Sequence, residues 1–246
     1  PLRSSGNISN LTVLEDSGAT PLALSSDLNY TPGGGDDEIS QVPLVYAITE
    51  LPDPSLGVIQ LNGNTIELTD GRFQLELDDL KKLHFVAANN AHGTATFSFS
   101  ITDNAGTQDN PIPGASITES LTIDVVSVND IPSLTGTPIT LPDGTEDTAY
   151  TFSITDLLSS YNDVDGDSLS ISALNATGGE LTDNGNGTYT LTPYLNLNGL
   201  FSITYNVVDG NGGITPATQS FRLLAVNDQP LRSSGNISNL TVLEDS

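Results

Sequence analysis

The sequence predicts an all-β chain built from tandem seven-stranded Greek-key β-sandwiches. Three observations lead to this prediction: short runs in which apolar and polar residues alternate, turns rich in Gly, Asn and Asp between them, and an internal repeat. Residues 1–17 recur unchanged at 230–246, and such self-similarity indicates an array of repeated units. Helical periodicity is nearly absent, so the apolar runs are interpreted as strands.

The repeat has an inner register that divides the chain. The segment Val-Asn-Asp-Ile-Pro at 128–132 returns as Val-Asn-Asp-Gln-Pro at 226–230. The Glu-Asp pair that begins at Glu15 returns at Glu146 and Glu244, in steps of 146 − 15 = 131 and 244 − 146 = 98 residues. The predicted units are a larger sandwich over 1–130, a smaller one over 131–228, and the first strand of a further repeat over 229–246.

The second module has the strand pattern of an immunoglobulin-type sandwich. The turn Asn-Gly-Asn-Gly at 184–187 predicts a hairpin, because Asn-Gly tolerates the positive φ angles of tight hairpin turns. The predicted strands A to G are residues 137–141, 150–154, 169–174, 180–182, 188–192, 200–208 and 218–226.

The first module repeats this plan with longer loops. A Gly-rich acidic loop at 31–38 separates strands B and C, and a segment with two lysines at 78–83 predicts a short helical turn. The predicted strands are 11–14 (A), 22–25 (B), 44–49 (C), 58–61 (D), 73–77 with 83–87 (E), 95–101 (F) and 117–128 (G).

The composition limits the possible classes of function. The 31 acidic residues outnumber the 6 basic ones and give a net charge of −25, which repels nucleic acid and anionic membranes. The chain has no cysteine, so it has neither disulfides nor thiolate chemistry. No apolar run approaches the roughly 18 residues of a membrane-spanning helix. We therefore expect no nucleic-acid partner and no membrane insertion.

The acidic residues gather at the same place in each repeat. Counting strand directions through a seven-stranded sandwich puts Glu15 and Asp16 at the exit end of the first module, beside Asn129 and Asp130. The same count puts the B–C and F–G loops at the entry end of the second module. Those loops carry Asp163, Asp165, Asp167 and Asp209. We expect the two sets to meet at one junction between modules.

Carboxylates gathered in this way favour a bound cation. Two carboxylates ~5 Å apart repel by about 3 kcal/mol at an effective dielectric constant of about 20. Oxygen ligands with no cysteine and only two histidines favour a hard ion. Flexible Asp/Asn/Gly loops suit the irregular coordination of Ca²⁺ better than the strict octahedron of Mg²⁺. The sequence therefore predicts calcium as the cofactor.

Two further acidic groups are each expected to form half of a site. At the entry end of the first module, the group is Asp36, Asp37 and Glu38 together with Asp103. At the exit end of the second module, it is Glu146, Asp147, Asn227 and Asp228.

The second module also carries the motifs of a known family. These are Glu-Asp-Thr at 146–148, Asp-Val-Asp-Gly-Asp at 163–167, Gly-Thr-Tyr-Thr-Leu-Thr-Pro at 187–193, Asn-Gly at 198–199, Asp-Gly-Asn-Gly-Gly at 209–213 and Val-Asn-Asp at 226–228. With them, residues 132–228 resemble the cadherin-like tandem repeats of giant bacterial RTX-type adhesins. The resemblance independently implies calcium at the junctions between repeats, and it implies a secreted protein at the bacterial cell surface.

The first module is similar to the repeat of chondroitin sulfate proteoglycan ectodomains, which is related to cadherin. The similarity rests on Pro52, Gly57, Phe73, Asp79-Leu80 and the run Phe-Ser-Phe-Ser-Ile-Thr-Asp at 97–103. The module departs from the pattern between strands B and C, where Gly-Gly-Gly-Asp-Asp-Glu at 33–38 replaces Asp-x-Asp-Gly-Asp.

These features predict a non-enzymatic extender segment, in which calcium stiffens the joints between repeats and so projects a distal binding domain. The expected partners are neighbouring repeats of the same chain, with no small-molecule substrate. The chain is expected to be monomeric apart from strand exchange through 230–246. A glycan- or protein-binding module of a surface protein is the alternative. A carboxylate-pair glycosidase is a third hypothesis, but it needs two acids facing each other within one module.

Overall fold

The computed structural model describes residues 1–33, 44–103, 115–230 and 235. The chain divides into two compact units, unit 1 (Pro1–Asn129) and unit 2 (Asp130–Ser246). Each unit has its own hydrophobic core. The predicted ligands Asp36, Asp37 and Glu38 lie outside the described residues, as does most of the segment 230–246 for which strand exchange is predicted.

The regular secondary structure of unit 1 consists almost entirely of strands. They are β1 (Leu2–Ser5), β2 (Leu11–Leu14), β3 (Ala19–Pro21), β4 (Asn29–Thr31), β5 (Val45–Glu50), β6 (Gly57–Leu61), β7 (Asn64–Thr65), β8 (Phe73–Leu75), β9 (Leu83–Ala87), β10 (Gly93–Thr102) and β11 (Ser116–Val126), with the short helix α1 (Leu77–Leu80).

The strands of unit 1 form two main sheets. One has the order β2-β11-β10-β5-β8 and the other β3-β9-β6-β7, while β1 and β4 form a separate ribbon. Strand β2 runs parallel to β11, and β10 pairs with its neighbours antiparallel. Side chains alternate along β10, so that Phe97, Phe99 and Ile101 are fully buried. Burial of one strand face in this way is what the period-2 pattern predicts.

Unit 2 is smaller and also consists mainly of strands. They are β12 (Ser133–Leu134), β13 (Gly144–Thr145), β14 (Tyr150–Ser153), β15 (Tyr161–Asn162), β16 (Ser170–Ala176), β17 (Gly179–Asp183), β18 (Thr188–Pro193), β19 (Gly199–Val208) and β20 (Ile214–Leu224), with the helix α2 (Ile154–Leu158).

Seven strands of unit 2 make the predicted sandwich. One sheet has the order β13-β20-β19-β16 and the other β14-β18-β17, and β12 and β15 form a short ribbon. Leu191 of β18 and Ile203 of β19 belong to one buried cluster, so the core takes side chains from both main sheets. The all-β sandwich predicted from the sequence is confirmed, and β13 pairs with β20 in parallel.

The prediction of strand A in the second module, 137–141, is wrong. No strand occupies these described residues. The short strand β13 forms the sheet edge instead, and β12 pairs with β15 in the separate ribbon. Pro138 lies within the segment and Pro142 follows it directly, and proline cannot donate a hydrogen bond to a sheet. Leu141 is nevertheless buried, so the hydrophobic pattern indicated burial correctly and secondary structure incorrectly.

Strand B of the first module is displaced from its predicted position at 22–25. The strand at this place is β3, which ends at Pro21. Just after it, the N–H of Leu24 donates to the carbonyl oxygen of Leu22 at 2.7 Å. A hydrogen bond between residues two apart closes a three-residue turn, which ends the extended conformation.

Two local features of helices differ from the sequence prediction. Helix α1 starts one residue before the predicted helical turn at 78–83 and ends earlier. Helix α2 takes over where strand B of the second module was predicted to continue. Its signal is a capping pattern, because the Ser153 hydroxyl accepts a hydrogen bond from the Asp156 N–H at 3.0 Å.

Candidate metal centre

Two loops of unit 2 bring three carboxylates together. Asp163 and Asp167 follow β15, and Asp209 follows β19. One carboxylate oxygen from each lies within 4.8 Å of the other two. Asp163 and Asp209 are each only 5% exposed, and Asp167 is half-buried. These three side chains are named the aspartate cluster below.

The Asp209 carboxylate is held by the turn that follows it. Its Oδ1 accepts hydrogen bonds from the backbone N–H groups of Asn211, Gly212 and Gly213 at 2.7, 3.0 and 2.9 Å. A β-carbon at Gly213 would collide with this carboxylate, so the close approach requires glycine. The sequence Asp-Gly-Asn-Gly-Gly therefore folds around the carboxylate and fixes its position.

Asp163 is fixed through one oxygen only. Its Oδ1 accepts the Asp165 N–H at 2.9 Å, and its backbone carbonyl accepts the Gly166 N–H at 3.3 Å. Its Oδ2 is buried and has no hydrogen-bond partner among the described residues. A buried charged oxygen without a partner costs free energy unless a cation or donor compensates it.

Asparagine and backbone donors complete the loops around the cluster. The Asn211 side chain donates to Asp167 Oδ2 at 2.7 Å, and the Asp130 N–H donates to Asp165 Oδ2 at 2.7 Å. Asn211 is not among the predicted site residues. Its signal in the sequence is its place between two glycines, two residues after Asp209. From there a side-chain amide can reach the neighbouring loop.

The aspartate cluster fits a hard divalent cation. At 4.8 Å, two carboxylates repel by about 3 kcal/mol at an effective dielectric constant of about 20. Three backbone donors offset this repulsion at Asp209, but nothing among the described residues does so at Asp163 Oδ2. Buried carboxylate oxygens on flexible Asp/Gly loops are the ligands that Ca²⁺ prefers.

A second acidic feature, the pair Glu15–Asp16, lies in unit 1 directly after β2. Glu15 is 3% exposed, and its Oε1 accepts the Val128 N–H at 2.7 Å. Asp16 is exposed and has a φ angle of 58°, a left-handed conformation that Asp tolerates better than most residues. The predicted ligand Asn129 is exposed and is the last residue of unit 1.

The corresponding pair of unit 2, Glu146–Asp147, has more partners. Glu146 is also 3% exposed, and its Oε1 accepts the Val226 N–H at 2.8 Å. Its Oε2 accepts the Asn198 side-chain amide at 2.9 Å. Asp147 Oδ1 accepts the backbone N–H of Asn196 at 2.8 Å. Asn196 and Asn198 are further residues that the sequence prediction of the site did not include.

These hydrogen bonds change the acidity of Glu146. The Asn198 amide, and after it the Val226 N–H, lower the pKa of the Glu146 carboxyl, because donors favour the charged form. Glu146 is therefore a carboxylate at neutral pH. The predicted ligands Asn227 and Asp228 follow β20 and are exposed.

Asp103 of unit 1 occupies the place that Asp209 has in unit 2, directly after the long strand β10. It is 4% exposed, and its Oδ1 accepts the Ala115 N–H at 2.8 Å. Its Oδ2 lies 3.5 Å from the amino group of Pro1. Asp103 is therefore tied to the Ala115 backbone within unit 1.

Residues 128–224 match the profile of the cadherin-like domain family. No curated protein matches the chain. Among the described residues, no helix has the length and apolar character that a membrane span requires.

Solved structures that are similar to the chain include two cadherin ectodomain fragments and one enzyme. Repeats EC22–24 of mouse cadherin-23 share 12% identity, with 92% of this chain and 65% of that chain covered and a TM-score of 0.45. Repeats EC3–6 of protocadherin gammaB7 share 13% identity, with 93% and 48% covered and a TM-score of 0.44. An endo-fucoidan hydrolase of glycoside hydrolase family 107 shares 22% identity, with 89% and 28% covered and a TM-score of 0.30.

The chain thus spans less than two thirds of the length of each of these three structures. The profile match covers most of unit 2, including both loops of the aspartate cluster and the Glu146–Asp147 pair. The chain is therefore similar to the cadherin-like domain family over residues 128–224.

Proposed function

We propose that this chain is a calcium-stabilised structural extender of a large, secreted bacterial surface adhesin of the RTX type. The observation that carries the proposal is the aspartate cluster, with the buried and unpartnered Oδ2 of Asp163 among three carboxylates. Cadherin-like domains typically bind calcium, and residues 128–224 match the profile of this family. The motif resemblance of 132–228 supports the more specific assignment to adhesin repeats.

Asp163, Asp167 and Asp209 would hold the first calcium ion. Asp165 and Asp130, which share a hydrogen bond, would contribute to the same end of unit 2. The bound ion supplies positive charge that cancels the repulsion between these carboxylates. Extracellular modules of this kind bind calcium in the ~10⁻⁴–10⁻³ M range, so the sites would fill outside a cell and stay empty inside it.

The proposed role of the ion is mechanical and not enzymatic. The strand directions predict that Glu15, Asp16 and Asn129 of the preceding repeat supply ligands to the same ions. A cation held by two consecutive repeats would convert a loose linker into a fixed joint. An array of such joints would project a distal binding domain away from the cell. The segment 230–246, identical in sequence to 1–17, would begin the next repeat.

Small-angle X-ray scattering with and without calcium tests this proposal. We expect a better-defined and larger maximum dimension when calcium is present, and no such change in the double variant Asp163→Ala/Asp165→Ala. A matched control, Glu67→Gln/Asp78→Asn, removes two exposed acids of unit 1 and should still respond to calcium. The same maximum dimension of the parent chain in both conditions would contradict the proposal.

A further inference from the structure

The loop that contacts the Glu-Asp pair of unit 2 has a closely matched counterpart in unit 1. The loop between β9 and β10 covers residues 88–92, and the loop between β18 and β19 covers residues 194–198. The third residue of each is an asparagine in a left-handed conformation, with φ of 56° at Asn90 and 57° at Asn196. The two loops therefore have the same length and share this backbone feature, so their residues correspond one to one.

The two loops differ in what they do for the neighbouring acids. In unit 2, Asn198 donates to Glu146 Oε2 at 2.9 Å, and the Asn196 N–H donates to Asp147 Oδ1 at 2.8 Å. In unit 1, the position of Asn198 is taken by His92. The difference therefore lies in a side chain and not in the length of the loop.

No hydrogen bond joins the unit 1 loop to its acidic pair. Asn90 and His92 are described residues, as are Glu15 and Asp16, and the structure has no such bond between them. Glu15 keeps only the counterpart of the Val226 contact, the hydrogen bond from the Val128 N–H. The carboxylate of unit 1 is thus held at one oxygen, whereas that of unit 2 is held at both.

A carboxylate held at both oxygens can still bind a cation. Each carboxylate oxygen has two lone pairs, and each oxygen of Glu146 accepts one hydrogen bond. One lone pair on each oxygen therefore remains for a metal ion. Hydrogen bonds to a ligating carboxylate orient it, and loss of such a partner typically weakens metal binding by about 10–100-fold.

We propose that Asn196 and Asn198 are positioning residues that hold the Glu146–Asp147 pair in place for a divalent cation, and that unit 1 lacks this support. The inference rests on the proposed function, because it assumes that the pair is a cation ligand. It makes the two repeat types unequal: the pair of unit 2 is oriented before the ion arrives, and the pair of unit 1 is oriented only in part.

Amide hydrogen exchange of the full chain, followed by NMR without divalent cations, tests the positioning itself. In Asn198→Ala, exchange at the Val226 amide should rise about fivefold, which corresponds to the loss of one ordinary hydrogen bond. The Val128 amide of unit 1 should not change. Asn198→Asp, which keeps the shape and removes the donor, should act in the same direction and serves if the alanine variant does not fold.

The reverse experiment introduces the asparagine into the matching loop of unit 1. His92→Asn gives unit 1 an asparagine at the loop position that corresponds to Asn198. This substitution should slow hydrogen exchange at the Val128 amide about fivefold. Titration with CaCl₂ should then show that Asn198→Ala weakens binding at the Glu146–Asp147 pair about tenfold, as followed by the Val226 amide. Binding at the aspartate cluster, followed by the Gly213 amide, should stay the same.

The outcomes separate this inference from the proposed function. Unchanged exchange at Val226 in Asn198→Asp, together with unchanged exchange at Val128 in His92→Asn, overturns the positioning role. Parent-chain amides that do not respond to calcium at all overturn the proposed function and, with it, the cation that the positioning serves. The exchange measurements without calcium still decide whether Asn198 holds Glu146.

Discussion

Asp209 of unit 2 and Asp103 of unit 1 occupy the same place in their sandwiches and are about equally buried, yet their surroundings differ. Asp209 accepts three backbone N–H groups from its own turn and lies beside Asp163 and Asp167. Asp103 accepts one N–H, from Ala115, and faces the amino group of Pro1. Two acids at the same strand end are thus held by different donors, three from the Asp209 turn and one from Ala115.

The largest expected effect comes from removing the acid itself. Asp209→Ala should lower the free energy of unfolding of unit 2 by about 3 kcal/mol, since three backbone N–H groups, of which that of Gly213 is buried, lose a charged acceptor. Asp103→Ala should cost unit 1 less, about 1–2 kcal/mol, because only one backbone N–H, that of Ala115, loses its acceptor. Differential scanning calorimetry of the two variants measures this, and equal losses would remove the contrast between the units.

The next largest effect is a change in stability of Asp163→Asn whose sign depends on calcium. Without calcium, Asp163→Asn should stabilise unit 2 by about 2 kcal/mol, because it relieves like-charge repulsion within the cluster and Asn can still accept the Asp165 N–H. With saturating calcium the same variant should be less stable than the parent, since it has lost a ligand. Thermal unfolding in EDTA and in calcium provides the comparison.

The matched control for that prediction is Asp103→Asn in unit 1. It replaces a carboxylate that belongs to no group of three acids among the described residues and that accepts the Ala115 N–H, so it should destabilise in EDTA and in calcium alike. A stabilising effect of Asp103→Asn in EDTA would mean that unit 1 also contains uncompensated negative charge.

The stability of unit 2 should depend on pH through the ionisation of Glu146. Its pKa is lowered in the folded state from the usual value of 4.5, so its hydrogen bonds contribute stability above the unfolded pKa. That contribution is lost as the pH falls through the folded pKa, in the acid range below about 4.5. Asn198→Ala should move the pKa back towards its usual value, as followed by carboxyl ¹³C NMR. A Glu146 pKa that is the same in parent and variant would contradict this cause.

The smallest effect concerns an ion pair on the surface of unit 1. Arg3 donates to both carboxylate oxygens of Glu119 at 3.0 Å, but the arginine side chain is 35% exposed. Arg3→Ala should therefore destabilise unit 1 by less than about 1 kcal/mol, with no effect on unit 2. Urea unfolding at low and high salt should show the difference shrinking as salt screens the pair. A larger loss that is independent of salt would indicate packing instead of charge.

The fold was predictable because hydrophobic alternation and turn chemistry agree along most of the chain. The hairpin strands β17 and β18 and the long strands β19 and β20 have strong period-2 patterns and turns of Asn and Gly between them. The pattern was misleading where a backbone feature competes with it. At 137–141 the prolines remove sheet donors, and at 22–25 a three-residue turn ends the extended chain.

The candidate site was predictable only in part. Acidic residues could be assigned from loop position, and Asp163, Asp167 and Asp209 do lie together within unit 2. Their supporting asparagines could not, because Asn in a loop is most simply explained as a turn former. Only the structure shows that Asn198 and Asn211 direct their amides at carboxylates.

Calcium titration calorimetry of the full chain tests the central claim most directly. The account predicts saturable binding in the ~10⁻⁴–10⁻³ M range and the loss of at least one bound ion in the triple variant Asp163→Asn/Asp167→Asn/Asp209→Asn. A triple variant that binds the same number of calcium ions with the same affinity as the parent would contradict the assignment of the aspartate cluster as a calcium site.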